Sequence, residues 1–452
     1  MKRSSPPRPQ SARELAMDVL TRVEQEGAYS NLLLNQSLQK HPLDRPDAAL
    51  ATELVYGTIQ RLNTLDHWLS RFVAKGVNSL TPWVRSLLRM SLYQLVYLDR
   101  IPEHAAVNEA VNLAKRRGHA GISGMVNGVL RNAIRQRGAL TIPADLPPAQ
   151  RIALQHSHPV WMVEAWIAQY GEATAERICA ANNVAPRVSV RVNTMRASRD
   201  RLLAVMANGG VAVRPSELAP AGILAESGGN MAFSSWYREG LLSVQDESSM
   251  LVAEAVDPQS GMRVLDCCAA PGGKTAHMAE RMGDRGHILA CDMHEHKRLL
   301  IEEQAGRLGL TCIETRTADA RDLPAQLEPG SFDRVLLDAP CSGLGVIRRK
   351  PDLKWAKRPE EVEAIARLQA ELLASAQQLV APGGVLVYST CTLTAEENET
   401  AVSRFLAEHP GFRLEAMPAA LGHIPGAERG IVSILPCDYG SDGFFIARLR
   451  RA

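Results

Sequence analysis

Residues 266–275 read Asp-Cys-Cys-Ala-Ala-Pro-Gly-Gly-Lys-Thr, and they begin at the last residue of the short predicted strand Arg263-Val-Leu-Asp266. Small residues at the point where a strand turns into a helix let the backbone approach a ligand closely. The stretch is neither a Gly-x-Gly-x-x-Gly dinucleotide loop nor a Walker phosphate loop. It therefore predicts a ligand-binding strand–turn–helix unit of another kind.

Downstream of this loop, short apolar strands alternate with longer amphipathic helices. Such alternation is typical of a parallel sheet covered by helices on both faces, so residues 246–452 are predicted to form an α/β, Rossmann-like domain. The predicted strands are Arg263–Asp266, His287–Asp292, Thr311–Thr315, Phe332–Asp338 and Gly384–Ser389.

The chain upstream of residue 246 has a different character. Apolar residues recur at helical spacing through residues 11–140, with no alternating strand pattern, which predicts an all-α domain. Residues 141–148 contain three prolines and are predicted to be a linker, and residues 149–245 are predicted to form an α+β subdomain. Within that subdomain we expect helices at Trp161–Tyr170 and Arg199–Met206 and a strand at Val188–Val192. The basic, proline-rich residues 1–10 are predicted to be a disordered tail.

The composition is that of an ordinary globular protein, with 46% hydrophobic and 22% charged residues among 452. No apolar run approaches the roughly 18 residues that a membrane helix needs, and no apolar core follows the basic N-terminus as in a signal peptide. We therefore expect a cytoplasmic protein with no membrane partner. The eight cysteines form no Cys-x-x-Cys pair, so neither a structural zinc site nor any other metal is expected.

The net charge of +2 is unevenly distributed along the chain. Residues 1–140 hold 19 Lys and Arg against 11 Asp and Glu, a net charge of +8, whereas the remaining residues carry a net charge of −6. An excess of positive charge on one module suggests a polyanionic partner, since phosphate neutralisation drives nucleic-acid affinity. A solvated surface is an equally good explanation of the charge excess alone.

Four acids follow four successive predicted strands: Asp266, Asp292, Asp319 and Asp338. Asp292 lies 19 residues after Gly273, the spacing at which an acid accepts hydrogen bonds from ribose hydroxyls. Aspartate is also a common helix N-cap, but four in register favour a ribose-bearing cation as the ligand. S-adenosylmethionine has that chemistry, since it carries a sulfonium and an amino group but no phosphate.

Two cysteines lie in polar loops at strand ends: Cys341 in Asp338-Ala-Pro-Cys-Ser-Gly-Leu-Gly345 and Cys391 in Tyr388-Ser-Thr-Cys-Thr392. The strands that precede them are expected to be neighbours, so both thiols are predicted to face one pocket. A lone buried cysteine is usually inert packing, whereas an accessible pair is a candidate for thiolate chemistry.

With these motifs the sequence resembles the RNA cytosine-5 methyltransferases of the Nol1/Nop2/Sun family. The matching residues are 266–275, 338–345 and 388–392, together with Val244-Gln-Asp-Glu-Ser-Ser249, Arg191-Val-Asn-Thr194 and the C-terminal 442–450. The resemblance covers the chain from about residue 150 to its end. The helical N-terminal region looks like the NusB-type RNA-binding fold, a pairing similar to that of the bacterial members acting on 16S ribosomal RNA.

The resemblance implies a role for each of these residues. Cys391 would be the nucleophile that adds to carbon 6 of cytosine and activates carbon 5, and Cys341 would help remove the carbon 5 proton. Asp338 would hold the cytosine edge or the amino end of the cofactor, with Asp292 on ribose and Asp319 near adenine. The loop residues implied to line S-adenosylmethionine are Cys268, Ala269, Ala270, Pro271, Gly272, Gly273 and Lys274. In the related DNA enzymes the cysteine after a proline is the nucleophile, which here would be Cys341.

Basic residues in two places are candidates for RNA contacts. They are Lys115, Arg116, Arg117, Arg131 and Arg135 in the helical domain, and Arg348, Arg349, Lys350 and Lys354 beyond Cys341.

We expect the partner to be small-subunit (16S) ribosomal RNA and the protein to act as a monomer. The alternatives are the same chemistry on transfer RNA or on another ribosomal cytosine, and a non-catalytic RNA-binding or antitermination factor. The intact cofactor loop and the two cysteines argue against the non-catalytic alternative.

Overall fold

The computed structural model describes residues 11–452, so the predicted tail at residues 1–10 lies outside the described part of the chain. The chain divides into two compact units. The first holds the residues up to Asn183 together with Arg349–Ala356, and the second holds Val184–Arg348 and Lys357–Ala452. No helix in the described part is both long and apolar enough to cross a bilayer.

The first unit is helical, as its apolar periodicity predicted. Most of its helices bury one apolar face, whereas the helix Pro82–Tyr97 is buried all round from Ser86 to Leu95, and residues such as Leu15, Leu54, Leu87 and Leu113 form one core. Among residues 11–183 the helices are α1 (Ala12–Glu26), α2 (Ser30–Lys40), α3 (Arg45–Gln60), α4 (Leu62–Leu69), α5 (Pro82–Tyr97), α6 (Glu103–Arg117), α7 (Ala120–Arg135), α8 (Pro148–His156), α9 (Val160–Tyr170) and α10 (Glu172–Ala181).

The boundary of the first unit differs from the prediction, which placed residues 149–245 in one subdomain. Helices α8 to α10 belong to the first unit instead. The reason lies in α4, where the Asn63 N–H donates to Ser157 Oγ at 2.9 Å and Thr64 Oγ1 donates to the Leu154 carbonyl at 2.5 Å. The predicted linker at 141–148 therefore connects helices of one unit.

The second unit begins with a small antiparallel sheet in the order β2-β3-β1-β4. Val190, Ile223 and Leu242 are fully buried and form its core together with Leu202 and Met206. Its elements are β1 (Val188–Val192), α11 (Arg199–Asn208), β2 (Val213–Pro215), β3 (Gly222–Ala225), α12 (Ser235–Arg238) and β4 (Leu242–Val244). The predicted strand and helix here are confirmed, whereas β2, β3 and β4 are too short to show an alternating pattern in the sequence.

The rest of the second unit is built on a larger sheet in the order β10-β12-β9-β8-β5-β6-β7, with β11 paired to β12. Its strands are β5 (Arg263–Asp266), β6 (His287–Asp292), β7 (Ile313–Thr317), β8 (Phe332–Asp338), β9 (Val380–Thr390), β10 (Phe412–Leu414), β11 (Ile431–Ile434) and β12 (Phe444–Arg451). The α/β prediction is confirmed for the parallel strands β5 to β9. The C-terminal strands β10 to β12 pair antiparallel, which the prediction of a parallel sheet missed.

Helices cover both faces of this sheet, because alternate strand residues point to opposite sides. Val264 and Leu336 join a core with one set of helices, and Leu265 and Leu337 join a core with the other. The remaining helices are α13 (Glu247–Val256), α14 (Gly273–Arg281), α15 (Glu295–Leu308), α16 (Leu323–Gln326), α17 (Leu353–Ala356), α18 (Pro359–Ala376), α19 (Glu399–Glu408) and α20 (Pro436–Tyr439).

Helix α17 was predicted to belong to the α/β domain, but it lies in the first unit. Within that unit Ser30 Oγ donates to the Asp352 carboxylate at 2.6 Å, and Trp355 Nε1 donates to the Ile59 carbonyl at 2.7 Å. The segment that follows the Cys341 loop is therefore packed against helices α2 and α3.

Candidate active site

The predicted cofactor loop joins β5 to α14. Gly272 has a φ of +99°, a conformation that L side chains rarely adopt, and a Cβ there would lie 3.1 Å from the Ile301 Cα. The Ala269 N–H donates to the Cys291 carbonyl at 2.8 Å and fixes the loop beside β6. This close approach explains why glycine is required at this position.

Asp266 is a buried acid at the end of β5, with one carboxylate oxygen left unpaired. Thr275 Oγ1 donates to its Oδ2 at 2.7 Å, whereas its buried Oδ1 accepts no hydrogen bond from the described residues. Burial raises the pKa of Asp266 to about 7. An unpaired buried oxygen in a loop of small residues is a position for a hydrogen-bond donor on a ligand.

The other three acids lie along the same edge, because β8, β5, β6 and β7 are adjacent in the sheet. Asp292 is mostly buried and accepts the His294 N–H at 3.1 Å. Asp319 is paired with Arg321 at 2.7 Å, and this hydrogen bond lowers the pKa of the Asp319 carboxyl. The structure thus places all four acids at the carboxyl edge of the strands, where doubly wound sheets bind their ligands.

Lys274 and Asp338 form an ion pair within this edge. Lys274 Nζ donates to Asp338 Oδ2 at 2.7 Å, and Ser389 Oγ donates to Asp338 Oδ1 at 2.7 Å. Burial lowers the pKa of the Lys274 ammonium, but the Asp338 carboxylate more than offsets this and holds that pKa above its ordinary value. The pair therefore places an ammonium and a carboxylate together next to the cysteine loops.

The two cysteines meet, as their positions at the ends of neighbouring strands predicted. Cys341 Sγ and Cys391 Sγ are 3.2 Å apart, and both residues are partly exposed. The hydrogen bond between the two thiols lowers the pKa of Cys391 and outweighs burial and the Asp338 carboxylate, which raise it, and the Lys274 ammonium lowers it further. The same hydrogen bond raises the pKa of Cys341. The pair thus holds one proton on Cys341 and favours a thiolate at Cys391.

A buried glutamate that the sequence analysis did not single out braces both cysteine loops. Glu397 is fully buried, and its carboxylate accepts from Ser342 N at 2.8 Å, Ser342 Oγ at 2.5 Å and Thr394 Oγ1 at 2.7 Å. Gln369 Nε2 donates to it at 3.1 Å. Because the residue after Cys341 and the loop after Cys391 share this acceptor, their relative position is fixed.

A second residue that sequence reasoning missed is Arg191, on β1. Its side chain is fully buried, forms a two-pronged ion pair with Glu280 at 2.9 and 3.1 Å, and donates to the Gly273 carbonyl at 2.9 Å. Arg191 opens one of the motifs quoted above, and that was the available signal. It ties the small sheet to the first turn of α14.

The predicted RNA contacts in the helical unit lie at the ends of α6 and α7. Lys115, Arg131 and Arg135 are exposed. Arg117 is paired with Asp18 at 2.5 Å, and Arg116 lies 3.7 Å from Glu14. These residues remain candidates, since exposed pairs exchange partners at little cost.

For two of the four basic residues beyond Cys341, the prediction of an RNA contact is wrong. Lys354 is fully buried, donates to the Gln60 carbonyl at 2.8 Å and has its pKa lowered by burial. Arg348 is almost fully buried and donates to the carbonyls of Gly440 and Pro436 at 2.6 and 3.2 Å. The Arg348 guanidinium and the Lys354 ammonium therefore stabilise the fold. Lys350 is exposed and Arg349 is half-buried.

Three family models match the chain. Residues 253–450 match the 16S rRNA methyltransferase RsmB/F model, residues 10–135 match the NusB family, and residues 158–232 match an RsmF/B-like ferredoxin-like domain. The NusB resemblance of the helical region is thus confirmed. The third match spans the boundary between the two units.

Relatives resemble the chain over almost its whole length. A probable ribosomal RNA small subunit methyltransferase B from Bacillus subtilis is 45% identical, covering 98% of this chain and 99% of the relative. The ribosomal RNA small subunit methyltransferase B from Pseudomonas putida is 36% identical, over 92% of this chain and 94% of the relative.

Two solved structures also resemble this chain. The crystal structure of PH0851 has a TM-score of 0.81 and 28% identity, with full coverage of both chains. NSun6 from Pyrococcus horikoshii, solved with the S-adenosylmethionine analogue SFG, has a TM-score of 0.59 and 25% identity, covering 65% of this chain and 98% of that one.

Proposed function

This chain belongs to the 16S rRNA methyltransferase RsmB/F family, and on that premise we propose that it transfers a methyl group from S-adenosylmethionine to carbon 5 of a cytosine in 16S ribosomal RNA. The observation that carries the proposal is the 3.2 Å separation of Cys341 Sγ and Cys391 Sγ beside the Lys274–Asp338 ion pair. A methyltransferase acting on nitrogen or oxygen has no need of paired thiols, whereas carbon 5 needs a nucleophile at carbon 6.

The residues at the sheet edge fit S-adenosylmethionine. When bound, it supplies a methyl group activated by a positively charged sulfur. Residues 268–273 have small side chains at the start of α14, and the unpaired Asp266 Oδ1 offers an acceptor for a donor group. We assign Asp292 to the ribose hydroxyls and Asp319, held by Arg321, to the adenine side. The SFG ligand of the similar NSun6 structure supports this assignment of cofactor class.

In the first step the Cys391 thiolate adds to carbon 6 of the ring, and the displaced π electrons make carbon 5 nucleophilic. The hydrogen bond with Cys341 and the nearby Lys274 ammonium lower the pKa of Cys391 and so favour its thiolate. Asp338, oriented by Lys274 and Ser389, holds the cytosine edge so that carbon 5 faces the donated methyl group.

In the second step the proton on carbon 5 leaves to Cys341, the carbon 6–Sγ bond breaks, and its electron pair returns to Cys391. Once Cys391 is bonded to carbon 6 it carries no negative charge to hold the Cys341 proton, so that proton passes to solvent and Cys341 accepts the carbon 5 proton as a thiolate. One proton is released over the whole cycle, and the shared proton of the thiol pair is restored. The position of Cys341 against Cys391 suits this division, because a base at 3.2 Å from the nucleophile reaches the adjacent ring carbon.

The target base must be unpaired or flipped out before carbon 6 can reach Cys391. We propose that the exposed Lys115, Arg116, Arg117, Arg131 and Arg135, with Arg349 and Lys350, bind the RNA backbone. The protein is proposed to act as a monomer in the cytoplasm.

The test uses Cys341→Ala, Cys391→Ala and the unchanged protein, each incubated with S-adenosylmethionine and small-subunit ribosomal RNA and run on a denaturing gel. We expect a retarded protein–RNA band with Cys341→Ala alone, because its adduct forms but cannot resolve. A band with Cys391→Ala alone would exchange the two roles, as in the DNA enzymes. Absence of both a band and methyl transfer would overturn the proposed function on this RNA.

A further inference from the structure

We propose that Cys341 and Cys391 form a reversible disulfide under peroxide, which makes the active-site pair a built-in oxidation site. A disulfide has an S–S length of about 2.05 Å, so the two sulfur atoms need to approach by little more than 1 Å from their separation of 3.2 Å. The formation of the disulfide does not depend on the methyl-transfer reaction, whereas its consequence for methyl transfer rests on the proposed function.

The backbone around the two sulfurs prevents them from drifting apart. The Gly345 N–H donates to the Cys391 carbonyl at 2.9 Å, and the hydroxyls of Ser342 and Thr392 are 2.7 Å apart. A Cβ on Gly345 would come within 2.8 Å of the same Cys391 carbonyl. Each thiol therefore meets its partner at a high effective concentration, which favours a disulfide over other oxidation products.

The chemistry follows from the unequal protonation of the pair. The Cys391 thiolate attacks hydrogen peroxide, the O–O bond breaks, and Cys391 becomes a sulfenic acid as hydroxide leaves. Cys341 then attacks the Cys391 sulfur, the S–O bond breaks, and the second hydroxide leaves. The Cys341 proton and one proton from solvent complete two waters as the disulfide forms. A dithiol reductant returns the two electrons and restores both thiols.

The disulfide would protect Cys391 from further oxidation and would also stop methyl transfer. A solitary thiolate in an open pocket proceeds to the irreversible sulfinic and sulfonic acids, whereas a resolving cysteine stops this sequence at the disulfide. Four further cysteines, Cys179, Cys267, Cys291 and Cys312, are buried, and burial raises the pKa of each thiol. These four thiols are therefore poorer targets for peroxide than the active-site pair.

Trypsin makes the test direct, because each active-site cysteine falls alone in one peptide, residues 335–348 and 368–404. The reduced full-length protein is treated with hydrogen peroxide, its free thiols are blocked, and the digest is analysed by mass spectrometry. We expect the two peptides to be joined by a disulfide. Methyl transfer should fall in proportion to the joined fraction and return with dithiothreitol.

Two variants test whether the disulfide requires Cys341 and is independent of Cys437. In Cys341→Ala we expect irreversible sulfinic or sulfonic acid at Cys391, and in Cys437→Ala we expect joining as in the unchanged protein. Sulfinic or sulfonic acid at Cys391 of the unchanged protein, without joined peptides, would overturn the proposal. Joined peptides in a protein that transfers no methyl group even when reduced would leave the disulfide standing and refute the proposed function alone.

Discussion

The Gly345 N–H donates to the Cys391 carbonyl at 2.9 Å, so the loop after β8 and the loop after β9 are joined by a backbone hydrogen bond beyond the ends of both strands. The register of these parallel strands pairs Asp338 with Ser389. The extra bond continues that pairing into the loops and holds the two thiols opposite each other. Reactivity at this site therefore depends on residues that keep the loops together without touching substrate.

Glu397 is the residue that we expect to matter most for this arrangement. In Glu397→Gln an amide NH₂ replaces an acceptor that now serves Ser342 and Thr394, so buried donors lose their partner. We expect the free energy of unfolding to fall by about 2 kcal/mol, measured by urea denaturation. The adjacent, exposed Glu396→Gln is the matched control and should change stability by less than about 0.5 kcal/mol. Equal effects of the two changes would contradict the bracing role.

Lys274 should control the reactivity of Cys391. Removing its ammonium in Lys274→Met takes away a positive charge that lowers the pKa of Cys391, so that pKa should rise. The rate of iodoacetamide alkylation of peptide 368–404 at neutral pH should then fall, with its pH profile moved to higher pH. The exposed Lys75→Met serves as the control. An unchanged profile would mean that Cys341 alone sets the protonation of Cys391.

The stability of the protein should depend on pH through Asp266. Its pKa is raised by burial from 3.8 to about 7, so the folded state holds this proton more tightly than the unfolded state does. The stabilisation is fully present below about pH 4 and is lost as pH rises through about 7, a difference of about 4 kcal/mol. In Asp266→Asn this dependence of stability on pH should vanish. The free energy of unfolding of the variant, relative to that of the unchanged protein, should therefore increase as pH rises. Parallel unfolding curves from pH 4 to pH 8 would refute the raised pKa.

The sequence predicted local elements well and long-range partners poorly. Strands such as His287–Asp292 and Phe332–Asp338 have the predicted bounds, because a short apolar core flanked by polar residues specifies the ends of a strand. Strand β9 is longer than predicted, because Pro382 and Gly383 resemble a turn. Arg191, Glu397 and Lys354 went unrecognised or misassigned, because their partners lie 89, 55 and 294 positions away. The position of a charged residue in the sequence does not reveal whether folding buries it.

The basic patch at the end of α6 should carry part of the RNA affinity through its charge. Reversing Lys115, Arg116 and Arg117 to glutamate removes three positive charges that the structure leaves at or near the surface. Each lost phosphate contact reduces the slope of log affinity against log salt by about 0.7 to 0.9, so the triple variant should lower it by about 2.

The measurement is a salt titration of binding to a small-subunit ribosomal RNA fragment, with Lys75→Glu as the control for a single reversed charge elsewhere on the helical unit. Lys354→Met is a second control of the opposite kind. Because its ammonium is buried against the Gln60 carbonyl, we expect lower stability and an unchanged salt slope for the molecules that remain folded. A slope that stays constant in the triple variant would assign the RNA to another face. A slope that falls in Lys354→Met would show that this ammonium reaches the RNA after all.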